Sequence, residues 1–128
     1  MLLIGDVHIY VSDFDAAMRF WAEGLNLRVV EREQSAASAY ALLELPDGGP
    51  NLRLFSAPRR EQQPPEPGTA PTISFDVLTD EFEATLVRLL EHGGRQLDEI
   101  EQFEGLRVVT LADPDGNRFE LIEVPPEQ

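Results

Sequence analysis

One series of signals occurs twice in this chain: a short alternating strand, an acidic helix start, a helix and a glycine stop, first over residues 4–24 and again over 71–94. A repeat of this size constrains the fold more than any compositional figure, because both copies must bury a similar apolar face with the same elements. In the first copy Val7, Ile9 and Val11 alternate with Asp6, His8 and Tyr10, the period of a strand with one apolar side. Ser12 or Asp13 then caps a helix carrying Phe14, Ala17, Met18, Trp21 and Leu25 at helical spacing, with Gly24 as a left-handed stop. At least one of Phe20 and Trp21 belongs to the core. Strands are expected over about 26–33, 38–45 and 51–55, the last two joined by the turn Pro46-Asp47-Gly48-Gly49-Pro50.

The second copy follows the same order. Ile73, Phe75 and Val77 alternate with Thr72, Ser74 and Asp76, Asp80 caps a helix carrying Phe82, Leu86, Leu89 and Leu90, and Gly93-Gly94 ends it. His92, at that helix C-terminus, reads as a structural cap. Strands are expected at about 96–102, 105–112 and 118–124, the last pair closed by the hairpin turn Asp113-Pro114-Asp115-Gly116-Asn117. Between the copies, SAPRREQQPPEPGTA carries four prolines and no apolar period, which reads as an exposed, stiff connection. The chain is thus expected to be one α+β domain of two βαβββ modules, about 1–56 and 71–126, around a linker at about 57–70.

Composition narrows the chemistry. With 24 acidic and 10 basic residues in 128, the net charge of −14 repels a nucleic-acid backbone. Every basic residue is Arg and Cys is absent, so thiol nucleophiles, disulfides, thiolate metal sites and Schiff-base lysines are excluded. The opening Met1-Leu2-Leu3-Ile4 runs straight into Gly5-Asp6, with neither a signal-peptide pattern nor a membrane span, so a cytoplasmic protein with no membrane partner is expected.

Alternation along the strands sorts their side chains onto two faces. One takes Val7, Ile9, Val11, Leu52, Leu54, Ile73, Phe75, Val77, Phe119 and Leu121, and must meet the helices. The other takes Asp6, His8, Tyr10, Arg53, Phe55, Thr72, Ser74, Asp76, Arg118, Glu120 and Ile122, a mixture of charge, hydroxyl and aromatic groups suited to a ligand-binding concavity. Tyr10, Tyr40, Phe55 and Phe103 are candidate aromatic walls. Arg107 and Arg118 either meet an anionic ligand or pair with surface carboxylates, and Glu99, Glu101 and Glu104 read as a solvated strand edge.

Two stretches carry a family resemblance. Val11-Ser12-Asp13-Phe14-Asp15 leading to Phe20-Trp21 and Gly24-Leu25, together with Asp113-Pro114-Asp115-Gly116-Asn117-Arg118-Phe119-Glu120-Leu121, resemble the vicinal oxygen chelate superfamily, which includes glyoxalase I, extradiol dioxygenases and bleomycin resistance proteins. The resemblance implies paired βαβββ modules forming a cupped mixed sheet around a cavity, within a homodimer. It also implies four metal-ligand positions, on which Asp6, Arg53, Thr72 and Glu120 fall here. Only Glu120 matches the family's usual ligand outright.

A guanidinium at position 53 repels a divalent ion and Thr72 is a weak ligand, so the expectation is a site without metal, in which Arg53 pairs with Asp6 or Glu120. His8 lies two positions after Asp6 on the same face, roughly 6.5–7 Å along the strand. It keeps open a metal site of Asp6, His8 and Glu120, and with Glu120 it is the candidate for moving protons. The ligand-binding set is Asp6, His8, Tyr10, Arg53, Phe55, Thr72, Ser74, Arg118 and Glu120. The function expected first is cofactor-free binding of a small organic molecule, an antibiotic or metabolite. The alternatives are a metal-dependent glyoxalase-like lyase or dioxygenase, and a noncatalytic dimerisation module.

Overall fold

The computed structural model describes residues 1, 4–56 and 74–125. The expected linker, Thr72 and Ile73 lie outside them. The described residues fall into two compact units, one within Met1–Pro64 and one within Pro65–Gln128. Unit 1 has the expected βαβββ order, unit 2 has it with the first strand after the helix split in two, and the fold is α+β.

In unit 1, β1 (Val7–Tyr10) leads to α1 (Phe14–Met18), which continues through a π-helical turn at Arg19–Glu23. Asp13 is the cap, its Oδ1 accepting from the Ala16 amide at 3.0 Å. Phe20 and Trp21 are both fully buried, with rings edge to face at 4.9 Å. The wider turn, closed by the Gly24 amide donating to the Arg19 carbonyl at 3.0 Å, lets two adjacent large side chains face the core. Gly24 is not the left-handed stop. It keeps a right-handed helical conformation (φ −61°), and Asn26 takes the positive φ of 57° instead. Three strands follow: β2 (Arg28–Gln34), β3 (Ala39–Glu44) and β4 (Leu52–Ser56). The sheet order is β1-β4-β3-β2, with β1 parallel to β4 and the rest antiparallel. Ile9, Leu52, Leu54, Ala41 and Leu43 are buried on one face, where α1 packs against β4.

A bulge interrupts the β2–β3 ladder. Val29 pairs with Leu43, yet the next partner, Leu42, faces Glu31 rather than Val30. One extra residue reverses the alternation beyond it. Glu31 and Glu33 therefore share the face of Leu42 and Tyr40, while Arg32 shares that of Ala41, its guanidinium 3.7 Å from Asp15 and 5.4 Å from the Phe14 ring centre.

Unit 2 repeats the plan with β5 (Phe75–Thr79), α2 (Phe82–Glu91), β6 (Arg95–Gln96), β7 (Glu101–Phe103), β8 (Leu106–Ala112) and β9 (Arg118–Glu123). Its order is β5-β9-β8-β6, β7 also pairing with β8, and β5 runs parallel to β9. Asp80 does not cap α2. Glu81 takes the cap position without a side-chain bond, and the Thr79 hydroxyl accepts from the Glu81 amide at 2.9 Å. Phe82, Leu86 and Leu89 are buried, but Leu90 lies a further 100° round the helix and is partly exposed. Gly93, at φ 100°, ends α2, and the Gly94 amide closes the turn on the Leu89 carbonyl. The His92 ring stays local, its Nδ1 2.7 Å from the Arg88 carbonyl oxygen.

The expected strand at 96–102 is broken into β6 and β7. Asp98 sits in the gap and accepts from the Thr110 amide and hydroxyl at 2.8 and 2.9 Å. Between the Gln96–Leu111 and Glu101–Val108 pairs the outer chain advances five residues against three, so two extra residues leave the alternation intact. The closing hairpin forms as expected around fully buried Asp113, which accepts from the amides of Asp115 and Asn117 at 2.9 and 2.7 Å.

Candidate functional site

Each sheet has one face against its helix and one face open, and the open faces carry the predicted site residues. In unit 1 the register lays them out in two rows. His8, Arg53, Leu42 and Glu31 form one, and Tyr10, Phe55, Tyr40 and Glu33 the other. Phe55 sits among three rings, with centres 5.3 Å from His8, 5.4 Å from Tyr40 and 5.7 Å from Tyr10, the last stacked. Tyr10 is half exposed, so the group presents an aromatic surface to solvent.

A polar chain crosses this surface. Arg53 Nε donates to Asp6 Oδ2, and Arg53 Nη1 donates to the Tyr40 hydroxyl at 2.5 Å. That hydroxyl in turn donates to Glu31 Oε2 at 2.9 Å. The guanidinium holds the Asp6 carboxyl below its ordinary 3.8, and Asp6 in return raises Arg53. Burial, reinforced by the bond to Glu31, raises the Tyr40 phenol. Arg53 Nη2 has no hydrogen-bond partner among the described residues, and the side chain is one-third exposed. Two donors therefore face outward beside the rings.

The expected Asp6–Arg53 pairing is present, whereas the links to Tyr40 and Glu31 were missed by the sequence reading. Their signal is the Val29-Val30 doublet, which breaks a strict alternation just ahead of Glu31.

In unit 2 the open face is different in kind. Glu120 is exposed and lies in register between Thr110 and Asp76, so two carboxylates are direct neighbours across parallel strands. Ser74 and Arg118 are exposed as well. Beside Glu120 a cavity of about 330 Å³ opens over Leu106, Val108, Ile122 and Phe103. Arg107 belongs to neither site. It clamps Glu123 through two bonds at 3.1 and 2.8 Å, reaches Glu83 at 3.2 Å and lies over the Phe82 ring at 4.8 Å.

A divalent ion is ill matched to these donors. Among the described residues no three His, Asp or Glu side chains are grouped as a metal requires. The Asp6 carboxylate is already engaged by a fixed cation that would repel a second one.

The profile of a glyoxalase-like domain family matches residues 6–122. The chain belongs to that family. The glyoxalase-like domain superposes on solved structures from the same superfamily. One is a glyoxalase family protein from Bacillus cereus, with TM-score 0.76 and 19% identity, covering 98% of this chain and 96% of that one. A second is the glyoxalase family protein from Enterococcus faecalis, with TM-score 0.69, 25% identity and coverage of 94% and 96%. A third is a member of the glyoxalase/bleomycin resistance protein/dioxygenase superfamily from Sphaerobacter thermophilus, with TM-score 0.68, 23% identity and coverage of 97% and 98%. No curated protein matches the sequence. The glyoxalase-like domain is accordingly a vicinal oxygen chelate fold in which a guanidinium stands beside Asp6.

Proposed function

We infer that this glyoxalase-like domain binds a small organic molecule without a metal ion, as a cytoplasmic homodimer. The observation that carries the reading is Arg53, held by Asp6 and Tyr40 with Nη2 left to donate outward. Where relatives that use metal offer an ion to a ligand's oxygens, the guanidinium offers two N–H donors and a fixed charge. The rings of His8, Tyr10 and Phe55 supply the apolar contact beside it. On unit 2, taken by itself, exposed Ser74, Arg118 and Glu120 are the proposed ligand-facing residues.

Metal content and titration calorimetry with nickel, zinc, manganese and iron(II) test the reading on protein prepared without chelator or affinity tag. The wild type is expected to take up no stoichiometric ion. The Arg53→Glu variant is expected to gain one, because position 53 pairs with His8 and adjoins Asp6, leaving three donors where a cation stood. A stoichiometric ion in the wild type, lost in Asp6→Ala or Glu120→Ala, overturns the reading and directs the search to lyase or oxygenase substrates.

A further inference from the structure

The open face of unit 2 combines a concavity with carboxylates that no ion pair neutralises among the described residues. The floor of the 330 Å³ cavity is apolar, made by Val108, Ile122 and Phe103, and Phe103 is 71% exposed. A phenyl ring left this open over an apolar hollow is costly in water unless something covers it. Three carboxylates, Glu101, Glu104 and Glu120, line the same cavity. None of them has an ion-pair or hydrogen-bond partner among the described residues.

The register makes the charge deliberate in its placement. Glu101 lies across from Val108 and Glu120 across from Asp76, so one carboxylate faces an apolar residue and another a like charge. Like charges directly opposite in a sheet are destabilising. A cation between them would reverse the sign of that interaction. The cations that share this face by register, Arg95 and Arg118, form no ion pair with these carboxylates among the described residues, and Arg107 is turned to the helix face and spent on Glu123 and Glu83. With no three acidic or histidine side chains grouped among the described residues, a bare metal ion finds no cage here.

We propose that this cavity holds a small organic cation with an apolar or aromatic body. The body lies over Phe103, Val108 and Ile122, and the cationic nitrogen points to the carboxylate rim. The cavity, near the lower end of ordinary ligand pockets, accommodates a bicyclic ring with a short amine arm. This proposal rests on the small-molecule reading above and adds to it the sign and shape of the ligand.

The test is an amide-shift titration of the isotope-labelled full chain by NMR with three matched probes: 1-naphthylmethylammonium, 1-naphthylmethanol and 1-naphthylacetate. The cation is expected to bind most tightly, to move amides of β7, β8 and β9, and to weaken as salt is raised. The Glu101→Gln/Glu120→Gln variant is expected to lose about tenfold in affinity for the cation and little for the alcohol. Both substitutions are at exposed positions, and an unchanged thermal midpoint serves as the folding control. Equal binding of alcohol and cation at the β7–β9 amides, or tighter binding of the acetate there, overturns the cation assignment while leaving the small-molecule reading standing. A cation that binds Phe103→Ala and the double Gln variant as tightly as the wild type also overturns it, since the site then lies elsewhere. Probes that move no amide in either unit overturn both.

Discussion

A guanidinium gripped by acceptors on two of its nitrogens ties its own charge state to theirs. At position 53 the partner that responds to pH is Asp6, whose carboxyl the guanidinium keeps ionised below 3.8. Because that value is lower in the folded chain than in the unfolded one, the pair's contribution is complete above about pH 4 and fades as the pH falls through the folded value. Glu123, depressed below 4.5 by its hydrogen bonds from Arg107, acts in the same direction. Asp6→Asn removes one of these two acid-sensitive contributions. Its stability is therefore expected to fall less steeply than that of the wild type as the pH drops below about 4, which urea denaturation at each pH checks. Parallel slopes would mean that Asp6 is not held by Arg53 in solution. Tyr40 works oppositely: its raised phenol favours the protonated form, and that contribution is lost only in strong base.

The element on which the unit 1 face depends is β2, where the extra residue sends Glu31 to Tyr40 and Arg32 to Asp15. Deleting Val30 removes the extra residue and leaves Glu31 opposite Leu42 and Arg32 opposite Ala41, so each later side chain keeps its face. The deletion is therefore expected to cost under about 1 kcal/mol, as is Val30→Ala, because neither moves a polar side chain into the core. Chemical denaturation of both variants checks this, and a loss of about 2–3 kcal/mol in the deletion alone would show that the bulge itself holds Glu31 at the surface. The bulge also marks where the sequence becomes hard to read. Val7, Ile9 and Val11, the Phe82-Leu86-Leu89 stripe and the Asp113–Asn117 turn were legible because each is a local pattern answering to one period or one turn. The Asp6–Arg53 pair was legible because opposite charges shared a predicted face. Glu31 was not, since its face depends on how far a neighbouring strand has slipped, a relation between residues 11 apart. The break between β6 and β7 was hidden for the same reason: Asp98 caps Thr110, which is 12 residues on. Asp80 looked like a cap by type, but the hydroxyl of Thr79 is the one that meets the Glu81 amide.

At the scale of the molecule, the chain is a duplication whose two copies keep one topology and spend it differently. Unit 1 offers rings and a tethered cation, and unit 2 an apolar hollow rimmed by acid. Light scattering coupled to size exclusion is expected to give twice the 14.3 kDa chain mass if the protein works as a homodimer, and a mass of one chain would remove that part of the reading. The contrast between the two outer strands has a wider meaning for how such a duplication diverges. A gain of one codon in the strand at the rim is taken up as a bulge and a gain of two codons as a loop, and in both the later side chains keep their partners and their faces. Insertions at either rim thus leave the surface a ligand meets as inherited, and substitution on the open faces is what rewrites it.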